Sequence, residues 1–561
     1  MIKRLNKNIL LPKKMSQQKK NFHEEKKNLS EIYLAALDSV KPHKIISQKV
    51  KLNNNNLIIN NEVITMTDNV YVVGFGKAVM GMAVALEELL GNRLMKGIVS
   101  IPRGSKDNFN FNILNNTVPG VINYVETSIN NEPDNDTVSV TRDIIELVKS
   151  LNETDTLIVL ISGGGSALLS MPKPPVTLDE KLNISRKLFN SGADIKEVNL
   201  IRQKLSVVKA GGLAFMAHPA FVIGLILSDI IDDPMELIAS GPTVNNLIQV
   251  DIIEKIFIKY NLLNQLSDNL KIILFSDPII SQQGINHVKN FIIGNNLLAI
   301  ENAKLECTRK KLTSVILFIN IKGLITQISK MYAKLSSLIC KTFYESISIE
   351  NFNELIKNDP DLLLLSSKAG EIYQATKDVE EGLVLIAGGE PSVLVTGSGK
   401  GGRNQELALR FSRDWFKIAE YEKLVKLFDV VLLSVSTDGQ DGPTDATGAF
   451  GYAEIYSVAN ELVELMKSKF LNEAEDEIMS TREFVEKEME HVDVGKVLEN
   501  NDSYNFYSRF NKGNDLVKTG LTGTNVMDLH FIYIKKKNLI EESGNKIRVS
   551  LEDHDFFNDL L

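Results

Sequence analysis

The chain has 561 residues, more than one hydrophobic core usually covers, so at least two domains are expected. Hydrophobic residues make up 43% and charged residues 24%, and the net charge of -8 argues against a surface that grips nucleic acid. Two cysteines, Cys307 and Cys340, exclude a disulfide framework and fit a reducing compartment, while apolar runs such as FVIGLIL (221–227) are too short to cross a bilayer. Neither a nucleic-acid nor a membrane partner is expected, and the expected address is cytoplasmic.

The chain opens on a basic stretch without acids: Lys3, Arg4, Lys7, Lys13, Lys14, Lys19 and Lys20 all precede His23. It has no apolar core for secretion and little of the arginine and serine of a transit peptide. Residues 1–27 are expected as a disordered tail, with mitochondrial import left open.

Strand and helix signals then alternate. VYVVGF (70–75) reads as a buried strand, and KAVMGMAVALEELLG as an amphipathic helix stopping at Gly91. DTLIVLIS (155–162), AFVIGLILSDI (220–230), NFIIG (290–294), GLVLIAGG (382–389) and FDVVLLSVSTDG (428–439) repeat the strand pattern. Continuous apolar strands ending in glycine or aspartate turns, with helices between them, predict parallel sheets covered on both faces. In such folds ligands bind beyond the carboxyl ends of the strands. The glycine-turn pattern lapses between 300 and 380, which divides the chain into an N-terminal α/β domain (28–300), a connecting segment (301–378) and a C-terminal α/β domain (379–536). The charge-dense 465–495 reads as an exposed helical insertion, and 537–561 as a polar tail.

Six glycine-rich or acidic turns carry the chemistry. VVGFGKAVMGMA places Lys77 where a helix begins after Gly74 and Gly76, a position where backbone N–H groups attract anions. The third glycine of a dinucleotide fingerprint falls on Val79, so that motif is absent. LISGGGSALLS supplies Ser162, Gly163, Gly164, Gly165 and Ser166; three glycines let a backbone approach a ligand closely. A hydrolase elbow would need glycine at Leu168. LSDIIDDPMELIASGPT offers Asp229 at a strand end, then Ser240, Gly241 and Thr243 in a turn. AGGEPSVLVTGSGKGGRNQELALR is the richest stretch. It fails the Walker A pattern at Leu394 and Gly401, yet it holds Gly399, Lys400, Gly401 and Gly402 before a helix that starts near Arg403 and Asn404, with Glu390 upstream and Glu406 downstream. Arginine can fork two oxygens of a carboxylate or phosphate. STDGQDGPTDATGA carries Thr437, Asp438, Asp441 and Asp445; these three aspartates are the candidate metal ligands, for Mg²⁺ beside phosphates. TGLTGTNVMD adds Thr524 and Asn525. Two cations, several anion-friendly turns and an acidic loop suit phosphoryl transfer, which is mostly positioning and charge neutralisation.

Taken in order, LISGGGSALL, LSDI..DP...IASGPT, GGEPSVLVTGSGKGGRNQELAL, STDGQDGPTDATGA and TGTNVMD resemble the class II glycerate kinases, whose C-terminal domain is called MOFRL, and among them the animal members most closely. The similarity runs from Leu29 to Ile534, interrupted by the charged stretch. The resemblance implies an ATP-dependent kinase of D-glycerate working with Mg²⁺ in serine and fructose catabolism. It also implies two α/β domains with mostly parallel, Rossmann-like sheets facing an interdomain cleft, and leaves a homodimer open. Lys77 and Arg403 match a lysine and an arginine held to be functional in that family. One departure is Asp232, where the family usually has glycine.

On this reading Lys77 and Arg403 neutralise the glycerate carboxylate and the transferring phosphoryl group. The backbones of 163–165 and 397–402 cradle phosphates or substrate, and Asp229 or an aspartate of 438–445 holds Mg²⁺. One carboxylate accepts the hydroxyl proton. Two rivals are an NAD(P)H-dependent hydroxypyruvate reductase, disfavoured by the missing fingerprint, and an inactive small-acid-binding regulator, disfavoured by the retained Lys77, Arg403 and acidic loop.

Overall fold

Burial of continuous apolar strands organises the chain into two large sheets. A computed structural model describes residues 22–108, 120–128, 132–276, 285–472 and 486–537. Most of the N-terminal basic stretch, the centre of the charged insertion and the C-terminal tail after Lys537 lie outside the described residues. The last residues of the expected N-terminal tail belong instead to α1 (His23–Ser39), which buries Leu29, Ile32 and Tyr33.

A small antiparallel sheet comes first, formed by β1 (Val50–Asn53), β2 (Asn56–Ile59) and β3 (Glu62–Thr65). The first large sheet holds β4 (Asn69–Phe75), β5 (Leu94–Pro102), β6 (Ile122–Thr127), β7 (Asp155–Ser162), β8 (Phe221–Leu227) and β9 (Val288–Gly294). Their spatial order is β6-β5-β4-β7-β8-β9, and all neighbours are parallel. The order reverses between β4 and β7, the switch point at which doubly wound folds bind ligands. All eight residues of β7 are buried, because helices cover both faces. Among them are α2 (Val79–Leu90) and α3 (Asn135–Lys149).

Two excursions from this sheet build a helical lobe with its own core. After β7 come α4 (Leu178–Asn190) and α5 (Ile195–Lys204), and after β8 come α6 (Val250–Lys259) and α7 (Asp268–Leu274). Ile184, Leu188, Ile201, Phe257 and Leu274 meet inside it.

The second large sheet differs from the parallel one expected. It consists of β10 (Thr313–Ile321), β11 (Leu383–Gly389), β12 (Phe428–Ser436), β13 (Gly448–Gly451), β14 (Leu516–Val517) and β15 (Asp528–Lys536), in the order β10-β11-β15-β12-β13-β14. Only β10 and β11 pair in parallel; the remaining pairs are antiparallel. The last strand inserts between β11 and β12 and runs against both. The segment 301–378, expected as a connection, contributes the edge strand β10 to this sheet. It also contributes α9 (Ile325–Glu345), which covers one face together with α10 (Arg403–Tyr421). Tyr332, Ile339, Phe411 and Trp415 pack there with Leu385, Leu432 and Ile532.

The opposite face is shared between the two sheets. Residues of α1 and of α8 (Asn296–Arg309) form one apolar cluster with Ile223 and Leu225 of the first sheet and Val431, Leu433 and Phe531 of the second. Polar pins reinforce it. Buried Asn296 donates to the carbonyls of Val526 (2.6 Å) and Asp528 (3.0 Å), and Thr524 donates to the Val40 carbonyl (2.7 Å). Tyr33 donates to the Ser436 carbonyl at 2.9 Å. Asp232, where the family usually has glycine, sits at φ 66° and accepts a hydrogen bond from Asn320 of β10 at 2.8 Å. Its charge thus faces the second sheet's edge strand.

This junction leaves no room at Gly388, where an added Cβ would lie 1.9 Å from Oδ1 of Asn296 and 2.7 Å from Cδ1 of Ile300. Gly388→Ala is expected to cost about 1–3 kcal/mol. Urea unfolding would show this as a lower midpoint at unchanged slope.

Candidate active site

The carboxyl ends of β4, β7 and β8 supply one wall of a cleft. Chain direction reverses sharply at Gly76 (φ 143°), where a Cβ would collide with the Ser162 hydroxyl. The Lys77 amide then donates to the Gly163 carbonyl (2.9 Å), and the Ala78 amide to Oγ of Ser162 (3.0 Å). These bonds lock the first glycine turn onto the second. Lys77 itself is exposed, and its aliphatic stem lies across Gly164 (φ 78°). Among the described residues it forms no ion pair, so its ammonium is the free cation of this wall.

Gly163 has a different reason to be glycine. A Cβ there would sit 1.9 Å from Oδ2 of Asp229, so the carboxylate occupies the space a side chain would fill. Burial pushes the Asp229 carboxyl up to about 6; the negative Glu390 pushes the same way, and Lys77 opposes. Asp229 and Lys77 belong to the first sheet's domain, while Glu390 follows β11 of the second. The two halves therefore meet here.

Arg403, Glu390 and Asp528 form the other wall. Arg403 is the first residue of α10, directly after Gly402. Its Nε and Nη2 donate to the Asp528 carboxylate at 2.5 and 3.0 Å, and its Nη1 lies 3.1 Å from Glu390. The strand registers explain the meeting: Asp528 pairs with Gly389 on one side and Ser436 on the other, at the carboxyl ends of β11 and β12. Asp528 is fully buried. Desolvation raises its carboxyl pKa, and Arg403 opposes that rise. Glu390 keeps 45% of its side chain exposed. Its carboxyl is also raised, first by desolvation, with Asp528 and Asp438 adding like charge against the pull of Arg403. Sequence reasoning missed Asp528. Its only signal is a lone acid between a polar turn and an apolar strand, and nothing local says which strands will flank it.

The GSGKGG stretch has a different use from the phosphate cradle expected. The amides of Thr396 and Gly397 donate to Oδ1 of Asn501, that of Ser398 to Oδ1 of Asn500, and that of Lys400 to Oδ1 of Asp502. The Gly399 amide donates to the Asn500 carbonyl at 2.8 Å. A Cβ on Gly399 would lie 2.5 Å from that same oxygen, and one on Gly401 would lie 2.3 Å from Oγ of Ser503. The glycines are required because the 500–503 backbone presses on them. Lys400 projects over the Tyr504 ring, 4.5 Å from its centroid.

The start of α10 does hold an anion, and it is internal. Buried Asp441 accepts from the amides of Asn404 (3.1 Å) and Gln405 (2.9 Å) and from Nε2 of Gln405 (2.9 Å). Gly402 must be glycine because the Asp441 carboxyl occupies its side-chain space. Desolvation pushes Asp441 up to about 6 against the bonds from the helix amides. The three aspartates expected to bind metal therefore do not converge. Asp445 is exposed and bound by Tyr504 and Lys518, while Oδ1 of Asp438 accepts from Ser436 and the Gln440 amide. Among the described residues no group of three His, Cys, Asp or Glu is placed to hold a metal.

The remaining candidates brace the walls. Asn404 is buried between Asp441 and Ser434. Thr437 bonds the Met527 carbonyl, and Asn525 accepts from the Met527 amide. Oγ of Ser166 meets Oγ of Ser240 at 2.8 Å, beside Gly241 at φ 61°, while Thr243 bonds Asn290. Cys307 and Cys340 are free and buried. Among the described residues no helix is long and apolar enough to cross a membrane.

Comparison with known proteins identifies relatives of both halves of the chain. Residues 28–274 match the model described as "Domain of unknown function (DUF4147)", and residues 383–480 and 477–528 match the MOFRL family. The chain is 36% identical over 522 residues to a glycerate kinase of Danio rerio, covering 90% of this chain and 96% of that one. It is 32% identical to a D-glycerate 2-kinase of Thermotoga maritima, covering 82% of this chain and 90% of that one. The crystal structure of a Thermotoga maritima glycerate kinase superposes with a TM-score of 0.66 at 28% identity, covering 91% of this chain and 99% of that one.

Removing the internal anion tests its structural assignment. Asp441→Ala leaves two helix amides unpaired and is expected to cost about 2 kcal/mol, read as a lower thermal midpoint.

Proposed function

The chain belongs to the glycerate kinase family, and we propose on that premise that it transfers the γ-phosphoryl group of ATP to the 2-hydroxyl of D-glycerate. One observation supports the reading: Asp229 of the first sheet's domain feels the charges of both Lys77 and Glu390, and Glu390 of the second pairs with Arg403 at 3.1 Å. The choice of the 2-hydroxyl follows the activity named for the Thermotoga relative.

The chemistry distributes over the two walls. The glycerate hydroxyl oxygen attacks the γ-phosphorus, the bond to the bridging oxygen of ADP breaks, and the hydroxyl proton passes to Asp229. A carboxyl pushed up to about 6 is a stronger base than an ordinary aspartate yet is mostly ionised at neutral pH. The Lys77 ammonium, unpaired and lying over the glycine loop, offsets charge on the transferring phosphoryl oxygens. Arg403, held rigidly by Asp528, would bind the glycerate carboxylate through the Nη1 edge that Glu390 shares, exchanging one carboxylate for the other.

Transfer from ATP uses Mg²⁺, a hard cation that takes one or two carboxylates together with phosphate oxygens and water. Glu390, nearly half exposed after β11, and Asp438, partly exposed after β12, supply hard carboxylate oxygens suited to such a role. They would hold the ion, which would neutralise phosphate charge.

Incubation with ATP, Mg²⁺ and D-glycerate, followed by NMR, is expected to give 2-phosphoglycerate. Formation of the 3-isomer would overturn the choice of hydroxyl, and absence of both would overturn the kinase reading. Arg403→Lys keeps the charge but loses the fork on Asp528. It is expected to lower kcat/KM at least tenfold, on the order of 1.4 kcal/mol. The Asp229 carboxylate is the active form, so kcat/KM should fall as pH drops through about 6. In a pH–rate profile Asp229→Asn should lose that limb together with about 10²–10⁴ of the rate.

A further inference from the structure

One contact crosses between the two halves close to a carboxylate of each. Asp232 lies in the loop after β8, shortly beyond Asp229, and its Oδ1 accepts a hydrogen bond from Nδ2 of Asn320 at 2.8 Å. Asn320 belongs to β10 and precedes Ile321, whose carbonyl accepts the Glu390 amide at 2.9 Å. A short path therefore runs from Asp229 through Asp232, Asn320 and Ile321 to Glu390. The neighbouring Asp233 holds the loop to its own side: its Oδ2 accepts from Nδ2 of Asn295 (2.5 Å), the residue that caps α8.

Both partners leave regular backbone at this contact. Phe318 pairs with Ala387 and Ile321 with Gly389, so β10 carries an extra residue there relative to β11. Such a bulge re-aims side chains, and Asn320 lies within it. Opposite, Asp232 and Asp233 stand at φ 66° and 52°, left-handed backbone that strains an L-residue and is sterically free for glycine. Glycine is what the family usually has at position 232. Aspartate there carries strain, and what its side chain adds is the acceptor for Asn320. The bond is exposed and contributes only modestly to stability, so its consequence lies in where it holds the two chain segments.

We propose that Asp232 is a positioning residue: through Asn320 it straps the loop carrying Asp229 to the strand end carrying Glu390, and so sets the spacing of these two carboxylates. This rests on the reading that both serve one phosphoryl transfer. Such a reaction is sensitive to spacing, since a misplacement of about 1 Å can cost about 10²-fold in rate. The strap acts on that spacing and not on the general hold between the sheets, which the apolar cluster around α1 and α8 supplies. Asparagine at position 232 keeps an Oδ1 acceptor and tolerates left-handed backbone, whereas glycine removes the acceptor and the strain together.

The test compares Asp232→Gly, Asp232→Asn, Asn320→Ala and the double variant of Asp232→Gly with Asn320→Ala, all in the full-length protein. Asp232→Gly is expected to lower kcat about fivefold, with KM for D-glycerate within about twofold, while the thermal midpoint holds or rises. Asn320→Ala should lower kcat by the same factor and the double variant no further, because each removes the same bond. Asp232→Asn should keep kcat within about twofold of the wild type. Hydrogen exchange reads the strap without turnover. Asn320→Ala, a change in the second sheet, should speed exchange of the Asp233 amide, which is bonded to the Ile230 carbonyl, at least about twofold. Wild-type kcat in Asp232→Gly or Asn320→Ala, losses that multiply in the double variant, or a midpoint that falls together with kcat in Asp232→Gly would overturn the proposal. Unchanged exchange would overturn it as well, whatever the activity. Faster exchange in a protein that makes no phosphoglycerate would overturn the kinase reading alone.

Discussion

The pairing of Arg403 with Asp528 is the constraint on which the rest of the cleft depends. Asp528 is fully buried, and its carboxylate is answered by the arginine fork. Removing one partner of such a pair typically costs about 3–5 kcal/mol, because it leaves an uncompensated charge. The pair fixes the first residue of α10 against the first residue of β15. It thereby sets Arg403 beside Glu390, whose negative charge in turn acts on Asp229 of the first sheet's domain. Asn296 adds a further hold, since its amide bonds the carbonyl of the same Asp528. The candidate constellation and the junction between the sheets thus share one residue.

Glycine serves two purposes in this molecule, and sequence alone does not separate them. In the 163–165 turn the missing side chains make room for Asp229 and for the stem of Lys77, which are cleft groups. In the 397–402 stretch they make room for the protein's own backbone at 500–503 and for the Asp441 carboxyl. Both stretches precede a helix, and both look like anion cradles. In the second, an aspartate from the neighbouring loop already takes the helix start, so the local electrostatics are satisfied from within. The loop thus packs on the protein's own 500–503 backbone directly before Arg403.

Much of the site could be read before any coordinates. Lys77, Asp229, Glu390 and Arg403 stand where the sequence pattern placed them, at strand ends and helix starts. Asp441 and Asp445 were legible as a polar loop but not as separate fates: one is buried under α10 and the other exposed beside Tyr504. That difference comes from residues more than thirty positions away. Lys181 and Lys209 were unreadable for a similar reason. On helices and turns with ordinary spacing they look like solvated charges, and only the closure of the helical lobe onto the Ser166 turn buries them.

The sequence by itself determined β4, β7, β8, β9, β11 and β12, because long β-branched and leucine-rich runs have no stable place except inside a covered sheet. It also determined the turns at their ends, through glycines that tolerate close approach or left-handed backbone. Tertiary structure alone decided the strand order of the second sheet. An apolar strand carries no mark of its direction, and β15 buries the same faces whichever way it runs. Its antiparallel insertion between β11 and β12 brings Asp528 to the end where Arg403 waits. Tertiary structure also decided which charges stay in water and which must find partners, since burial is a property of the assembled layers and not of any one segment.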